Sequence, residues 1–270
     1  MRRRRQRRNR HPYLVEGSAH VLAHRGASGL CPPGNSEAAF RAALAAGVDH
    51  LETDAQLSAD GEVVLFHDDR LDESTTGRGR VAEHTWAELA ALRYRNGEVV
   101  TEQGPIRLAE ALDRFPSARW NIDVKVDAAV EPVVALLREV GCERRVCVAS
   151  FSWRRVRRLR KLLGSPSCSA LSGVELAVVR VLSWLPLPLP VPVGGDVAQA
   201  PRRHSSGLPV VDQRFVRTCR RAGLAVHVWT IDEPAEARRL LDLGVDGVIS
   251  DRPGLLVRAL GGAAARPSGA

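Results

Sequence analysis

From residue 20 almost to the end of the chain, short β-like apolar runs alternate with stretches whose apolar residues recur at three and four, the spacing of one buried helical face. The runs predict strands over 20–24, 50–54, 63–67, 120–125, 146–150, 197–200, 225–229 and 247–250, with 168–172 as an extra run outside that count. The periodic stretches predict helices over 36–46, 85–93, 108–115, 130–140, 152–163, 212–222, 233–243 and 253–260. Strands alternating with helices give parallel β/α architecture. A local echo supports the count: Ala46–Asp54 and Leu243–Asp251 both read as helix, glycine stop and apolar strand, and glycine just past a helix takes the left-handed C′ conformation cheaply. The expected fold is α/β, a (β/α)8 TIM barrel in a single domain. A doubly wound open sheet is the alternative, weakened in its dinucleotide-binding form because no GxGxxG follows the first strand.

One stretch resists the pattern. Residues 174–193 are strongly apolar, yet they hold Glu175, Arg180 and prolines at 186, 188, 190 and 192, so no continuous transmembrane helix is expected. A surface loop or lid is predicted instead, its Trp184 and leucines either packed on the outer helices or set against a lipid interface.

Composition narrows the class. A chain of 270 residues with 44% hydrophobic and 26% charged residues is an ordinary globular protein, which excludes collagenous, coiled-coil and general-disorder readings. The net charge of +8 is concentrated at one end: seven arginines lie within residues 1–10, leaving 32 basic against 31 acidic residues in the rest. A like-charge block of this kind is a self-repelling solvated arm. No specific nucleic-acid partner is expected, because no reading element accompanies it. The expected organisation is a disordered Arg-rich arm and lead-in over 1–19, the barrel over 20–260 and a flexible tail over 261–270. Five cysteines, odd in number and widely spaced, show neither CxxC nor zinc spacing and read as buried or idle thiols. The basic start breaks at His11–Glu16 before an apolar signal core forms, so a cytoplasmic location is expected.

The chemistry lies at strand ends. Alternation puts Glu52 and Asp54 on one face of their strand, and Asn121, Asp123 and Lys125 on one face of another. Three carboxylates facing one barrel mouth raise one another's pKa and need a compensating cation; all-oxygen donors suit Mg²⁺ or Ca²⁺ better than Zn²⁺. His24 and His67 each end a strand-like run, so both are expected on the catalytic rim as a general acid and base pair. Arg25 and Lys125 add positive charge, and their expected partner is a phosphate. Lys125 is one of only two lysines in an arginine-rich chain, the other being Lys161.

Taken together, His24-Arg25-Gly26-Ala27-Ser28-Gly29, Pro33-Gly34-Asn35-Ser36, Glu52-Thr53-Asp54, His67-Asp68, Thr75-Thr76-Gly77, Asn121-Ile122-Asp123-Val124-Lys125 and Trp229-Thr230 resemble the glycerophosphodiester phosphodiesterases. Each motif is weak alone; their order across residues 20–258 is specific. The resemblance implies a TIM barrel and metal-dependent hydrolysis of glycerophosphodiesters, such as glycerophosphocholine and glycerophosphoethanolamine, to glycerol 3-phosphate and an alcohol. It implies His24 and His67 as acid/base catalysts, Glu52, Asp54 and Asp123 as metal ligands, Arg25 and Lys125 as phosphoryl-binding groups, and Trp229 beside the substrate. Two departures stand out. Gly34 replaces the family's usual glutamate, and Asp123, one methylene shorter, stands where many members have glutamate.

Two rival readings accompany this one. A phospholipase-D-like enzyme would act on lysophospholipids and use the apolar 174–193 stretch in peripheral contact with a membrane. A non-catalytic barrel would bind phosphorylated ligands while the arm engages an anionic polymer or membrane.

Overall fold

The computed structural model describes residues 11–14, 20–29, 33–164, 167–185 and 193–261. Eight parallel strands form the barrel: β1 (His20–Ala23), β2 (His50–Leu57), β3 (Arg119–Val124), β4 (Val146–Ala149), β5 (Cys168–Ser169), β6 (Val197–Pro201), β7 (Ala225–Trp229) and β8 (Gly247–Ser250). Neighbours in sequence are neighbours in space, β8 pairs back onto β1, and the ring closes where Ala170 bridges Val197 and the Leu171 amide donates to the Val197 carbonyl at 2.8 Å. Around it lie α1 (Glu37–Ala45), α2 (Trp86–Ala91), α3 (Leu108–Arg114), α4 (Val130–Val140), α5 (Trp153–Leu163), α6 (Gly173–Trp184), α7 (Gln213–Ala222), α8 (Pro234–Leu243) and α9 (Pro253–Ala259). The TIM barrel expected from the alternation is the observed fold.

Helix starts follow local chemistry. Ser36, Thr85, Ser152, Ser172 and Asp212 each stand one residue before a helix and accept the amide N–H three positions on, satisfying one orphan donor each. The echo noted in the sequence holds, with Gly47 at φ +88° after α1 and Gly244 at φ +99° after α8, each turning the chain from helix back into a core strand.

Four expectations need correction. The 63–67 run is not a barrel strand: Val63–Leu65 pairs antiparallel with the end of β2, because the few residues between Leu57 and Val63 are too short for a parallel crossover, which takes a dozen or more. The strand in its place is the supernumerary run at 168–172, whose Cys168–Ser169 is β5. The predicted lid over 174–193 begins as helix α6, started by a capping box in which Ser172 and Glu175 cap each other's backbone amides. Its four prolines fall only after the helix, and residues 186–192 lie outside the described residues. Finally, the lead-in is not loose throughout. Tyr13 and Leu14 are buried among Cys147, Cys168, Val197 and Ala225 inside the barrel. Several of these neighbours open their strands, so Tyr13 plugs the N-terminal end, its ring edge-on to His50 at 5.1 Å. The arm over 1–10, Cys31, and the tail beyond Gly261 lie outside the described residues.

Candidate active site

The strand register builds the site. Glu52 lies opposite Asn121 and Asp54 opposite Asp123 across β2 and β3, so the alternation that turns Leu51 and Ile122 into the core turns these polar groups into the barrel mouth. All eight residues singled out from sequence, His24, Arg25, Glu52, Asp54, His67, Asp123, Lys125 and Trp229, line one cavity of about 240 Å³, near the lower end of small-molecule sites. His24 follows β1 directly. His67 arrives by a different route from the one expected: β2 overshoots the rim, the antiparallel Val63–Leu65 strand returns toward it, and the Phe66 amide donates to the Asp54 carbonyl at 3.0 Å.

Charges in the mouth are interlocked. The Lys125 ammonium sits 2.8 Å from Asp54 Oδ1 and 2.7 Å from Asp123 Oδ2, while Arg25 Nε lies 3.3 Å from Asp54 Oδ2. The Arg25 backbone N–H donates to Glu52 Oε2 at 2.9 Å, from a residue in the left-handed region at φ +51°. Asn35, the other non-glycine residue at positive φ among the described residues, donates from Nδ2 to Asp54 Oδ2 at 2.9 Å and accepts the Thr53 hydroxyl at 2.7 Å. Such sparsely populated conformations cost about 1–3 kcal/mol each and gather at functional sites. Gly34 explains its own substitution: a Cβ there would stand 2.8 Å from Arg25 Cβ, so the loop packs its bare backbone where a glutamate side chain would collide.

Burial would raise Asp54, but Lys125 and Arg25 overcome it and hold the carboxyl below its ordinary value. Glu52 goes the other way, pushed up to about 7 by burial and by the neighbouring Asp54 carboxylate. Burial lowers Lys125 less than Asp54 and Asp123 raise it, so it stays a cation. Burial likewise opposes the charge on His24, yet its 2.7 Å bond from Nδ1 to Asp251 Oδ1 and the nearby Glu52 raise it on balance. His67 Nδ1 pairs with Asp68 Oδ1 at 2.6 Å.

A divalent cation was expected on Glu52, Asp54 and Asp123. Among the described residues, no three His, Cys, Asp or Glu side chains are gathered closely enough to hold one ion, since the Lys125 ammonium separates two of the carboxylates. The donors nevertheless fit such an ion in charge and type. Three carboxylates converge with Arg25 and Lys125, Asp123 Oδ1 is buried with no hydrogen-bond partner, and Glu52 is bonded, among the described residues, only by the Arg25 backbone N–H and touches neither the Arg25 nor the Lys125 side chain. A phosphodiester would add a further negative charge, which a hard cation on oxygen donors offsets.

The sequence reading missed the groups that aim the named ones. Asp251, at the tip of β8, bonds His24 and also accepts the Ser28 hydroxyl at 2.6 Å; burial opposes the His24 and Ser28 bonds, which prevail and depress its carboxyl. The signal was present, because Asp251 occupies the place in its echo segment that Asp54 occupies in the other. Asn121 and Gln199 pair across the mouth, Gln199 Nε2 donating to Asn121 Oδ1 at 2.9 Å. The opposite wall is apolar, formed by Phe151, Leu171, Leu176 and Trp229, with Phe151 and Trp229 edge to face at 6.0 Å.

A family model described as "Glycerophosphoryl diester phosphodiesterase family" matches residues 24–255. The chain is 35% identical over 252 residues to "Probable glycerophosphodiester phosphodiesterase 2" of Mycobacterium tuberculosis, covering 90% of this chain and 91% of that one. It is 27% identical to a glycerophosphodiester phosphodiesterase of Caldanaerobacter subterraneus, covering 88% and 96% respectively. Among solved structures it resembles an Oleispira antarctica phosphodiesterase in complex with the product sn-glycerol-3-phosphate, with a TM-score of 0.71, 25% identity and coverage of 90% and 97%.

Proposed function

Since the chain belongs to the glycerophosphoryl diester phosphodiesterase family and is an enzyme of that class, we propose that its mouth hydrolyses small glycerophosphodiesters such as glycerophosphocholine and glycerophosphoethanolamine to glycerol 3-phosphate and an alcohol. The observation that carries this reading is the convergence of two imidazoles, three carboxylates, an arginine and a lysine on one cavity. Glu52, Asp54 and Asp123 would hold Mg²⁺ or Ca²⁺, which when bound neutralises charge on the phosphoryl oxygens. Arg25 and Lys125 orient those oxygens and add positive charge where the transition state gathers negative charge. His24, kept protonated by Asp251, gives its proton to the oxygen of the departing alcohol. His67, held by Asp68, takes the proton of the attacking oxygen, which belongs to water or to the glycerol moiety's neighbouring hydroxyl; in the second case water then opens the cyclic phosphate to glycerol 3-phosphate. Trp229 and the apolar wall cover the non-phosphate part of the substrate. Cytoplasmic residence belongs to the same proposal, supported by four described cysteines that are free and buried.

The test is incubation with glycerophosphocholine while released glycerol 3-phosphate is measured. Turnover is expected only with Mg²⁺ or Ca²⁺ and is lost on chelation. His24→Ala and His67→Ala are each expected to lower kcat by about 10² to 10⁴; near-normal turnover in either variant removes that histidine from the scheme.

A further inference from the structure

Helix α6 carries two charged residues, and both point inward. Glu175 pairs with Arg160 of α5 at 2.7 Å, and Arg180 pairs with Asp212, the residue capping α7, at 2.8 Å. The helix is thereby clamped between α5 and α7, and the residues exposed on its outward face are all uncharged, the mostly buried Arg180 guanidinium lying under the Trp184 ring at 4.6 Å. That face is apolar at helical spacing. Val174 (61% exposed), Ala177, Val181 (54%), Trp184 (52%) and Leu185 follow one another down it. The stripe begins at the cavity, because Gly173 and Leu176 line the mouth and the Gly173 amide donates to the carbonyl of Phe151, itself 66% exposed. A run of large apolar side chains on an exposed helix face is a marker of an interaction surface.

The flanking helices identify the partner. Neither α5 nor α7 contains an acidic residue. Exposed cations line both: Arg154, Arg157 and Lys161 on α5, and Arg214, Arg217 and Arg221 on α7, while Arg158 pairs with Glu131 and Arg220 with the Gly244 carbonyl. An apolar strip bordered on both sides by arginine and lysine is the pattern of an element lying in the interface of an anionic membrane, apolar residues entering the acyl boundary and cations meeting headgroups. A second copy of the chain fits worse, since docking like faces brings basic helices against each other. No helix among the described residues is long and apolar enough to cross a membrane, so the contact is peripheral. We infer that the α5–α6–α7 face docks on an anionic lipid surface, placing the cavity mouth at the edge of the interface, where phosphodiesters carrying an acyl chain are presented to the Phe151–Leu176–Trp229 wall.

Co-sedimentation of the full chain with vesicles tests this, using about 30% phosphatidylglycerol in phosphatidylcholine against phosphatidylcholine alone. The wild-type chain is expected to partition onto the anionic vesicles and weakly onto the neutral ones. The double variant Val181→Glu with Trp184→Glu is expected to lose at least about tenfold in partitioning, and Lys161→Glu with Arg214→Glu several-fold, each with unchanged unfolding midpoint and unchanged hydrolysis of soluble glycerophosphocholine. Because these variants keep residues 1–10, wild-type binding by the Val181/Trp184 variant would assign binding to the arm and overturn the inference. Absence of wild-type binding to anionic vesicles would overturn it too, as would a solution dimer that the same variant dissociates. Failure to hydrolyse glycerophosphocholine would bear on the proposed reaction alone, since vesicle binding is read separately.

Discussion

The residues that perform the chemistry are set by partners one bond away. His24 is raised by the Asp251 carboxylate despite its burial, so it is protonated where a free imidazole is already losing its charge. Asp251→Asn removes the charge and keeps the shape. The limb of kcat/KM that falls as pH rises through the His24 pKa is expected to move to lower pH, while Asp251→Glu restores part of it. An unshifted profile would show that Asp251 only packs against the rim. Gly34 teaches the same lesson from the opposite side. Its missing side chain reads in sequence as a lost acid, but the Arg25 Cβ occupies the space that side chain would need, and Glu52 is the acid that meets the Arg25 backbone.

Elements were legible wherever the local signal outlasted the noise of composition. Eight helices were predicted close to their observed spans because each has an apolar face, and four of them also have a side-chain cap at the start. The ninth, α6, was hidden by its later prolines, although Ser172 and Glu175 form the capping box that begins it. Its stability rests on that box and on the Arg160–Glu175 pair, both mostly buried. Glu175→Ala takes the carboxylate from the Arg160 guanidinium, which keeps its bonds to the Ser169 hydroxyl and the Ala170 carbonyl, and removes the cap; it is expected to cost about 2–3 kcal/mol, read as a lower urea midpoint. Glu175→Gln, which can still cap the first turn, is expected to recover about 1 kcal/mol of it. Equal midpoints for the two variants would exclude a capping contribution. The hairpin at 63–65 was misread for a simpler reason: alternation marks a strand but not its direction, and only the length of the preceding connection forbids a parallel return.

At the scale of the whole molecule, burying three carboxylates in one mouth couples stability to pH. Glu52 titrates at about 7, raised by burial and Asp54 from its ordinary 4.5. The folded protein therefore holds this proton more tightly than the unfolded chain, and the stability it contributes is complete below the unfolded value and lost as pH rises through the folded one. The raised His24 acts in the same direction, whereas Asp54 and Asp251, both depressed, lose their contribution only in more acidic solution. Without divalent cation, stability is expected to fall by a few kcal/mol between about pH 5 and pH 8. Glu52→Gln flattens the slope, and Mg²⁺ or Ca²⁺ opposes it at the upper end. Urea unfolding with chelator at both pH values checks this, and an equally steep slope in Glu52→Gln would exclude Glu52 as its origin. The alternation of runs in the sequence by itself determined a parallel β/α architecture, with the barrel its expected form, and placed Glu52, Asp54, Asp123 and Lys125 on inward faces, because strand period and helix period are local properties of the chain. Only the tertiary structure decided that Lys125 lies between two carboxylates, that Asp251 grips His24 from the far end of the chain, that Tyr13 stoppers the barrel floor, and that α6 shows an uncharged face. Those depend on which strands become neighbours when the ring closes, a condition on the whole chain that no local window contains.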